Sequence, residues 1–324
     1  MPLPHPLLPR GHHLTHKPSA LRQWLQDNNQ TPEPLDLGAQ LADAHVVARG
    51  LQRDLALARA QVSHTGPPRT HLVIGDAHSD PAAPNERFTW LGRVLVDLKP
   101  DVVVDIGDWA TLGSLYHKDW GKMRGEGKRL SDDLAVAVEA RALVDAELRA
   151  YNKGRRNPYR PALYSTLGNH EDRLVGTIER APHLAGTLSL DALGHARYGW
   201  AVSPFLTPLA LDGILYQHYW TAPGGRAVAS EKHHAAQLLD KGLLSCVQGH
   251  SHRYDLSVRR RWDGRKAMAL VAGCFFEHTE PWAGPDNDLW ARGLVVLRDV
   301  QDGFGHAEFL GMGRIRDTYS DSGG

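Results

Sequence analysis

Hydrophobic positions change their spacing near residue 70. Upstream, Leu37 to about Gln61 is rich in Ala and Leu with Arg and Asp interspersed, a helical periodicity. Before that, Pro2, Pro4, Pro6 and Pro9 oppose regular structure. The stretch Ser19-Ala-Leu-Arg-Gln-Trp-Leu-Gln then reads as a short helix capped by Ser19. Gly66-Pro67-Pro68 punctuates the chain and predicts a boundary: a helical extension over 1–68 and a main domain over 69–324. Two readings of the extension stay open, helices packed on the main domain or a partner-binding, degenerate helix-turn-helix module.

From Thr70 apolar runs of strand length alternate with helical patterns. His71 to Ile74 is a short apolar strand that runs into Gly75-Asp76-Ala77-His78. Glu86 to Leu98 is amphipathic and helical, stopped by Lys99-Pro100. Asp101 to Ile106 is a buried-strand run that empties into Gly107-Asp108. A long Ala-rich helix follows from Ser131 to about Lys153, with carboxylates at its positive end. Pro161 to Leu167 is the next strand and leads into Gly168-Asn169-His170-Glu171-Asp172. The second half is richer in hairpins. Asp212-Gly213 sits between apolar runs in Leu206 to Tyr219, and Asp263-Gly264 separates Val258–Trp262 from Arg265–Ala272. A helix is predicted from about Ser230 to Lys241, a strand from Leu244 to Gln248, and a pair of strands over Gly293–Val300 and Gly305–Leu310. A β-α-β half followed by a hairpin-rich half predicts an α/β fold of two packed sheets with helices outside.

Composition narrows the class without deciding it. The 324 residues are 42% hydrophobic and 23% charged, as in an ordinary globular protein, with formal net charge zero. No global field draws such a chain to nucleic acid or anionic lipid, so any such preference must come from a local patch. Cys246 and Cys274, each beside apolar residues, read as buried thiols rather than a disulfide framework. No run approaches the ~20 apolar residues of a membrane span, and the start of the chain lacks the order of a signal peptide, so a cytoplasmic protein with no membrane partner is expected. Nothing in the chain identifies a protein partner. Histidine is the outlier, with 19 copies. His5, His12, His13 and His16 lie in the Pro-rich start with no carboxylates spaced to match them.

His78, His170, His218, His250 and His252, with Asp76, Asp108 and Asn169, fall into five short motifs, each directly after a predicted strand. Three strands deliver polar residues at their carboxyl ends, the edge where open α/β sheets build active sites. The donors are carboxylate, imidazole and amide oxygen with no thiolate, which disfavours a structural zinc site and suits Mn, Fe, Zn, Co or Ni.

With these motifs the chain resembles the calcineurin-like metallophosphoesterase superfamily. The matching segments are Gly75-Asp76-Ala77-His78, Gly107-Asp108, Gly168-Asn169-His170-Glu171, His218 and Gly249-His250-Ser251-His252. The resemblance implies a four-layer α-β-β-α sandwich and two divalent metal ions, manganese favoured. It implies one ion on Asp76, His78 and His252, the other on Asn169, His218 and His250, and Asp108 bridging both. His170 would face the scissile phosphate without ligating. Two cations ~3.5–4 Å apart can clamp the attacking and leaving oxygens of an in-line displacement, and a water between them becomes the nucleophile near neutral pH. Protonation of the leaving oxygen by His170 would contribute ~10²–10⁴-fold. Glu171 and Asp172 read either as groups that orient imidazoles or as helix N-terminal charges.

The resemblance implies a phosphoester substrate, with DNA or a nucleotide the candidates. The protein Ser/Thr phosphatase branch shares Gly-Asn-His-Glu but follows its second motif with Asp-Arg-Gly, where this chain has Trp109-Ala110-Thr111. The DNA-repair exonuclease branch has Asn-His-Asp. The chain resembles small standalone phosphodiesterases and phage-type phosphoesterases, which implies nuclease-like cleavage of a diester. A phosphomonoesterase on the same metals and an inert nucleic-acid-binding or scaffold protein are the alternatives. Candidate substrate contacts are Arg173, His117 and Trp220, with Tyr116, Trp120 and Arg124 in the Gly-containing stretch after Asp108. Arg259-Arg260-Arg261 and Arg265-Lys266 read either as a basic patch or as a solvated face.

Overall fold

Alternation along the strands sorts the apolar residues into three layers of packing. The computed structural model describes residues 37–61, 66–222, 225–228, 232–242 and 244–321. The expectations for the Pro-rich start and the Ser19 helix lie outside the described residues. The chain forms two compact units, residues 1–48 and 49–324. Helix α1 (Leu37–Gln61) is the described part of the first and continues into the second.

The first sheet of the second unit grows from β-branched runs. Strands β1 (Arg69–Ile74), β2 (Val102–Asp105), β3 (Ala162–Thr166) and β4 (Ala201–Ser203) are parallel neighbours. Parallel neighbours need crossovers. Helix α2 (Glu86–Leu98) joins β1 to β2, and α3 (Leu130–Asn152) joins β2 to β3. The second sheet contains β5 (Leu209–Leu211), β6 (Ile214–Tyr216), β7 (Cys246–Gln248), β8 (Tyr254–Arg260) and β9 (Lys266–Ala272), in the order β5-β6-β7-β9-β8. Strands β10 (Gly293–Gln301) and β11 (Phe304–Gly311) then return to the first sheet, whose order is β11-β10-β1-β2-β3-β4.

Neighbouring residues on one strand serve different layers. Leu72, Ile74, Val103, Leu294 and Val296 pack under the helices with Phe88, Leu91 and Val94 of α2. Val73, Val102, Val104, Val295 and Leu297 face the other way, onto Met268, Leu270 and Ala272 of the second sheet. Ala267, Ala269 and Val271 of that sheet point outward and pack with Leu238 and Leu239 of α5 (His234–Gly242) and with Ala56 of α1. Three apolar interfaces between four layers make the α-β-β-α sandwich. Each fully buried aliphatic side chain stabilises it by about 1.5–3 kcal/mol.

Local signals account for where the elements stop. Lys99 ends α2 in the left-handed region (φ 46°), and its N–H donates to the Leu95 carbonyl. Pro100 then forbids another turn. Asp212 and Gly213, both at positive φ, make the tight turn between β5 and β6. Below that turn a polar chain joins the two sheets: Tyr216 Oη lies 2.7 Å from His71 Nδ1, and His71 Nε2 lies 2.8 Å from Asp212 Oδ2. Arg69 Nε donates to the same carboxylate oxygen at 2.6 Å.

Not every element is announced by periodicity. Helix α5 is described from His234, and its expected start at Ser230 falls outside the described residues. Strand β4 and the final helix α6 (Met312–Tyr319) have no periodic signal, because β4 has three residues with two exposed and α6 buries only Met312 and Ile315. Both cysteines are free buried thiols, and burial pushes the Cys246 thiol up to about 12. Among the described residues no helix is long and apolar enough to cross a membrane.

Candidate metal centre

Both sheets deliver their polar motifs to one edge. Asp76 and His78 follow β1, Asp108 follows β2, and Asn169 opens α4 (Asn169–Arg180) directly after β3. From the second sheet, His218 follows β6, and His250 and His252 follow β7. Every one of these sites lies at a strand's carboxyl end.

The chain makes sharp turns to aim these side chains. His78 (φ 43°), Asp108 (φ 52°), His250 (φ 69°) and His252 (φ 57°) all occupy the left-handed region. Such a conformation costs non-glycine residues about 1–2 kcal/mol each and persists only where the surroundings enforce it. Two glycines make room for the carboxylates. A Cβ at Gly168 would strike the Asp108 carboxylate, and one at Gly249 would strike that of Asp76.

Backbone donors then fix the carboxylates. The His250 N–H reaches Asp76 Oδ1 at 2.9 Å and Oδ2 at 3.0 Å, and the His170 N–H donates to Asp108 Oδ1 at 2.9 Å. Asp76, His78 and His252 offer ligand atoms within 4.8 Å of one another. Asp108, His218 and His250 form a second such group, and His78, Asp108 and His170 a third. Asp108 therefore stands between the two halves. His218 donates from Nδ1 to the Ile106 carbonyl at 3.0 Å, which turns Nε2 toward Asp108 Oδ2 at 3.3 Å and Asn169 Oδ1 at 3.1 Å.

Titration behaviour follows from burial and from histidines crowded around two carboxylates. Burial, then the neighbouring His170, drives His78 to its neutral form, and burial likewise lowers His170 to about 4. Burial also opposes charge on His218 and Asp108, but their mutual attraction wins. His218 is raised to about 10, and Asp108, with His170 and His218 beside it, is held well below the usual carboxylate range.

The residues present fit divalent cations. Both ring nitrogens of His78 are buried with no hydrogen-bond partner, a costly state for an imidazole unless a Lewis acid takes a lone pair. Imidazoles, carboxylates and one amide oxygen without thiolate are the donors that borderline divalent ions take, and an ion bound at His218 would displace the proton that Asp108 holds there.

Support for this centre comes from residues whose role the motifs did not show. Glu171 touches no imidazole. Its carboxylate accepts the N–H groups of Asp108 (3.0 Å), Ala110 (3.1 Å) and Gly168 (2.9 Å), which ties the second motif to the third. Arg87, on α2, is buried and donates to the carbonyls of Ala77 (2.9 Å), His78 (3.1 Å) and Phe275 (3.0 Å), which clamps the first motif. Beneath Asp108, the fully buried Arg141 pairs with Asp105 at 3.1 Å, and its guanidinium lies 4.2 Å and 4.8 Å from the ring centroids of Trp109 and Trp200. Aromatic rings wall the histidines. Tyr219 lies 4.6 Å from His250, Trp290 4.6 Å from His252, and Phe276 edge-on to His78 and His252 at 5.3 Å and 5.2 Å. The only signal for Tyr219 was its place after His218.

The candidate substrate contacts separate. Arg173 joins the centre: Nη2 donates to His170 Nε2 at 2.8 Å, Nη1 donates to the Thr111 carbonyl at 2.9 Å, and the guanidinium lies 4.7 Å from the Tyr116 ring. His117 sits on an exposed turn, 6.1 Å from Tyr116. Trp220 packs on the outer face of the second sheet with Leu215 and Cys246, turned away from its neighbour Tyr219. In the arginine-rich hairpin, Arg259 pairs with Asp240 (2.6 Å), and Arg261 (3.4 Å) and Arg265 (2.8 Å) pair with Asp263, so much of its charge is locally neutralised.

Compared with known families, residues 70–271, well over half of the chain, match the calcineurin-like phosphoesterase family. A comparison with curated proteins found none that matches.

Proposed function

Since the chain belongs to the calcineurin-like phosphoesterase family, whose members hydrolyse phosphoesters with metal ions, we propose that it is a phosphodiesterase acting on nucleotides or nucleic acid. The observation that carries this reading is the junction at Asp108, shared by two groups of potential ligands, with cationic and aromatic residues beside it. In this reading Asp76, His78 and His252 would hold one divalent ion, and Asn169, His218 and His250 would hold the other. Asp108 serves both. Manganese is favoured on an oxygen- and imidazole-rich donor set. We assign the catalytic domain to residues 69–324 and the extension to residues 1–68, of which Ala56 packs on the second sheet.

Bound there, two divalent ions supply Lewis acidity that activates water and neutralises charge on the phosphoryl oxygens. The chain's own residues do the rest. A carbonyl only accepts, so His170 Nδ1, 2.7 Å from the Thr111 oxygen, carries a hydrogen, and Nε2 is the atom directed toward Asp108. Once Arg173 turns to the phosphate, Nε2 would take a proton from solvent water and pass it to the leaving oxygen. Arg173, whose guanidinium can engage two phosphoryl oxygens at once, orients the diester beside it. Tyr219, Phe276 and Trp290 limit the access of bulk water.

Turnover of bis-p-nitrophenyl phosphate and of p-nitrophenyl phosphate, with manganese added, tests the reading. Diester hydrolysis that exceeds monoester hydrolysis supports it. Monoester turnover with no diester cleavage rejects it in favour of a phosphomonoesterase, and neither activity leaves a binding protein.

A further inference from the structure

One face of α4 carries a line of groups that leads away from the metal centre. His170, Arg173, Thr177 and Arg180 follow one another at helical spacings of three, four and three residues, so they share that face. The line is held together by its own hydrogen bonds. Thr177 Oγ1 donates to the Arg173 carbonyl at 2.7 Å, and Arg180 Nη2 donates to Thr177 Oγ1 at 3.2 Å.

Each arginine on this face has an aromatic partner from the segment after Asp108. Arg173 lies 4.7 Å from the Tyr116 ring, and Arg180 lies 5.8 Å from that of Trp120. Trp120 is 52% exposed, and its Nε1 donates to the Ser114 carbonyl at 3.0 Å. That bond fixes the polar edge of the indole and leaves much of a large apolar ring in solvent. Residues 113–129 also carry five Lys and Arg against two Asp and Glu, a local excess in a chain of zero net charge. Arg173 and Arg180 are about 10 Å apart along the helix axis, the rise of about three stacked nucleotides of one strand.

We propose that this face of α4, with Tyr116 and Trp120, is a track for a single-stranded nucleic acid whose scissile phosphate lies at the metal centre. Arg173 takes the phosphate nearest the metals, Arg180 takes one farther along, and Trp120 stacks on an intervening base. Stacking on an exposed ring requires a base free of its duplex partner, which selects single strands. The track names the substrate class of the phosphodiesterase read above and rests on that reading.

Binding and cleavage are measured separately. Fluorescence anisotropy follows a labelled phosphorothioate oligothymidylate of about 12 nucleotides, which resists hydrolysis, on the metal-loaded protein. A duplex of equal length and a phosphothreonine peptide serve as competitors. The single strand is expected to bind at least tenfold more tightly than either. Arg180→Glu is expected to weaken it tenfold or more and to reduce the slope of log affinity against log salt by about 0.7, one phosphate contact on a single strand. Trp120→Ala is expected to weaken binding about tenfold with the slope retained. Both positions are exposed, and thermal melting verifies that the variants fold. Equal affinity of wild type and Arg180→Glu, or a duplex or phosphopeptide bound as tightly as the single strand, overturns the track. Single-strand binding with the expected losses but no cleavage of an ordinary oligonucleotide upholds the track and rejects the phosphodiesterase reading.

Discussion

Arg173 and His170 hold each other in place through a shared acceptor. Nη1 of Arg173 and Nδ1 of His170 both donate to the Thr111 carbonyl, at 2.9 Å and 2.7 Å, while Nη2 of Arg173 donates to His170 Nε2 at 2.8 Å. An arginine that donates to Nε2 occupies the lone pair a catalytic proton would use. A phosphate that draws Arg173 to itself frees that nitrogen, so recognition and proton transfer are coupled. Arg173→Lys keeps the charge but loses the planar fork. It is expected to lower kcat/KM on bis-p-nitrophenyl phosphate about 10- to 100-fold, in line with one lost charge-assisted hydrogen bond, with metal content unchanged. A variant within twofold of wild type would show that Arg173 only braces the loop.

His170 can be separated from the metals by the same assay. It contributes no assigned ligand, so His170→Ala is expected to cut kcat about 10²–10⁴-fold while metal per chain, measured by plasma emission, stays at the wild-type value. Loss of an ion together with activity would instead make His170 a ligand, an outcome that its grouping with His78 and Asp108 leaves geometrically open.

Glu171 illustrates why part of the site was legible in the chain and part was not. Asp76, Asp108, Asn169 and the histidines stand in short motifs at strand ends, where the residue type itself announces the chemistry. Helix α2 was readable from end to end because its period and its Lys99-Pro100 stop are local. Glu171 was visible as a residue, but its job depends on the N–H groups of Asp108 and Ala110, about sixty positions earlier. Arg87 reaching Phe275, and Trp290 against His252, are equally non-local. Trp220 shows the limit of a local rule: alternation would give it the face of His218, two residues before it, yet it packs in the outer cluster with Leu215 and Cys246 while Tyr219 stands beside His250.

Removal of the Glu171 carboxylate leaves three N–H groups without their acceptor. At about 1–3 kcal/mol for each buried group left unsatisfied, Glu171→Ala is expected to lose about 3 kcal/mol or more. For a domain of this size that is a fall in Tm of about 10 °C. Metal affinity is expected to fall with it, because the Asp108 N–H loses the acceptor that fixes its backbone. Glu171→Gln, with one carbonyl oxygen, is expected to lie between. Differential scanning calorimetry with and without manganese decides; an unchanged Tm for Glu171→Ala would mean that water replaces the carboxylate.

Stability should fall on the acid side of neutrality for reasons distant from the metals. His195 is buried and kept neutral, its pKa lowered to about 2 by burial and then by Arg141, and burial also lowers His71. The unfolded chain binds these protons near 6.5, so the contribution is fully present above that pH. It is lost as pH falls from about 6.5 toward the folded values, at about 1.4 kcal/mol per pH unit for each histidine. Asp212 works at lower pH. Burial opposes its charge, but His71 and Arg69 hold it well below 3.8, so its stabilisation is lost as pH falls below that value. Urea midpoints at pH 7, 6 and 5 are expected to decline, and His195→Gln to decline less steeply by about one proton. Parallel slopes for the two proteins would remove His195 from the account.

Asp108 and Asp76 differ in how many ligand groups they join, and metal stoichiometry should report the difference. Asp108 belongs to the groups on both sides of the centre, Asp76 to one. Asp76→Ala is therefore expected to retain about one ion per chain and Asp108→Ala less than one, against two for wild type. The same contrast appears in melting. A ligand present at about 100 times its Kd stabilises the folded state by about 2.7 kcal/mol, about 5–10 °C for a domain of this size, and chelation removes it. Manganese should raise the Tm of wild type by that amount, that of Asp76→Ala by less, and that of Asp108→Ala hardly at all. Equal stoichiometry and equal metal-induced shifts in the two variants would mean that Asp108 serves one ion only, and the shared carboxylate at the centre of the site would have to be given up.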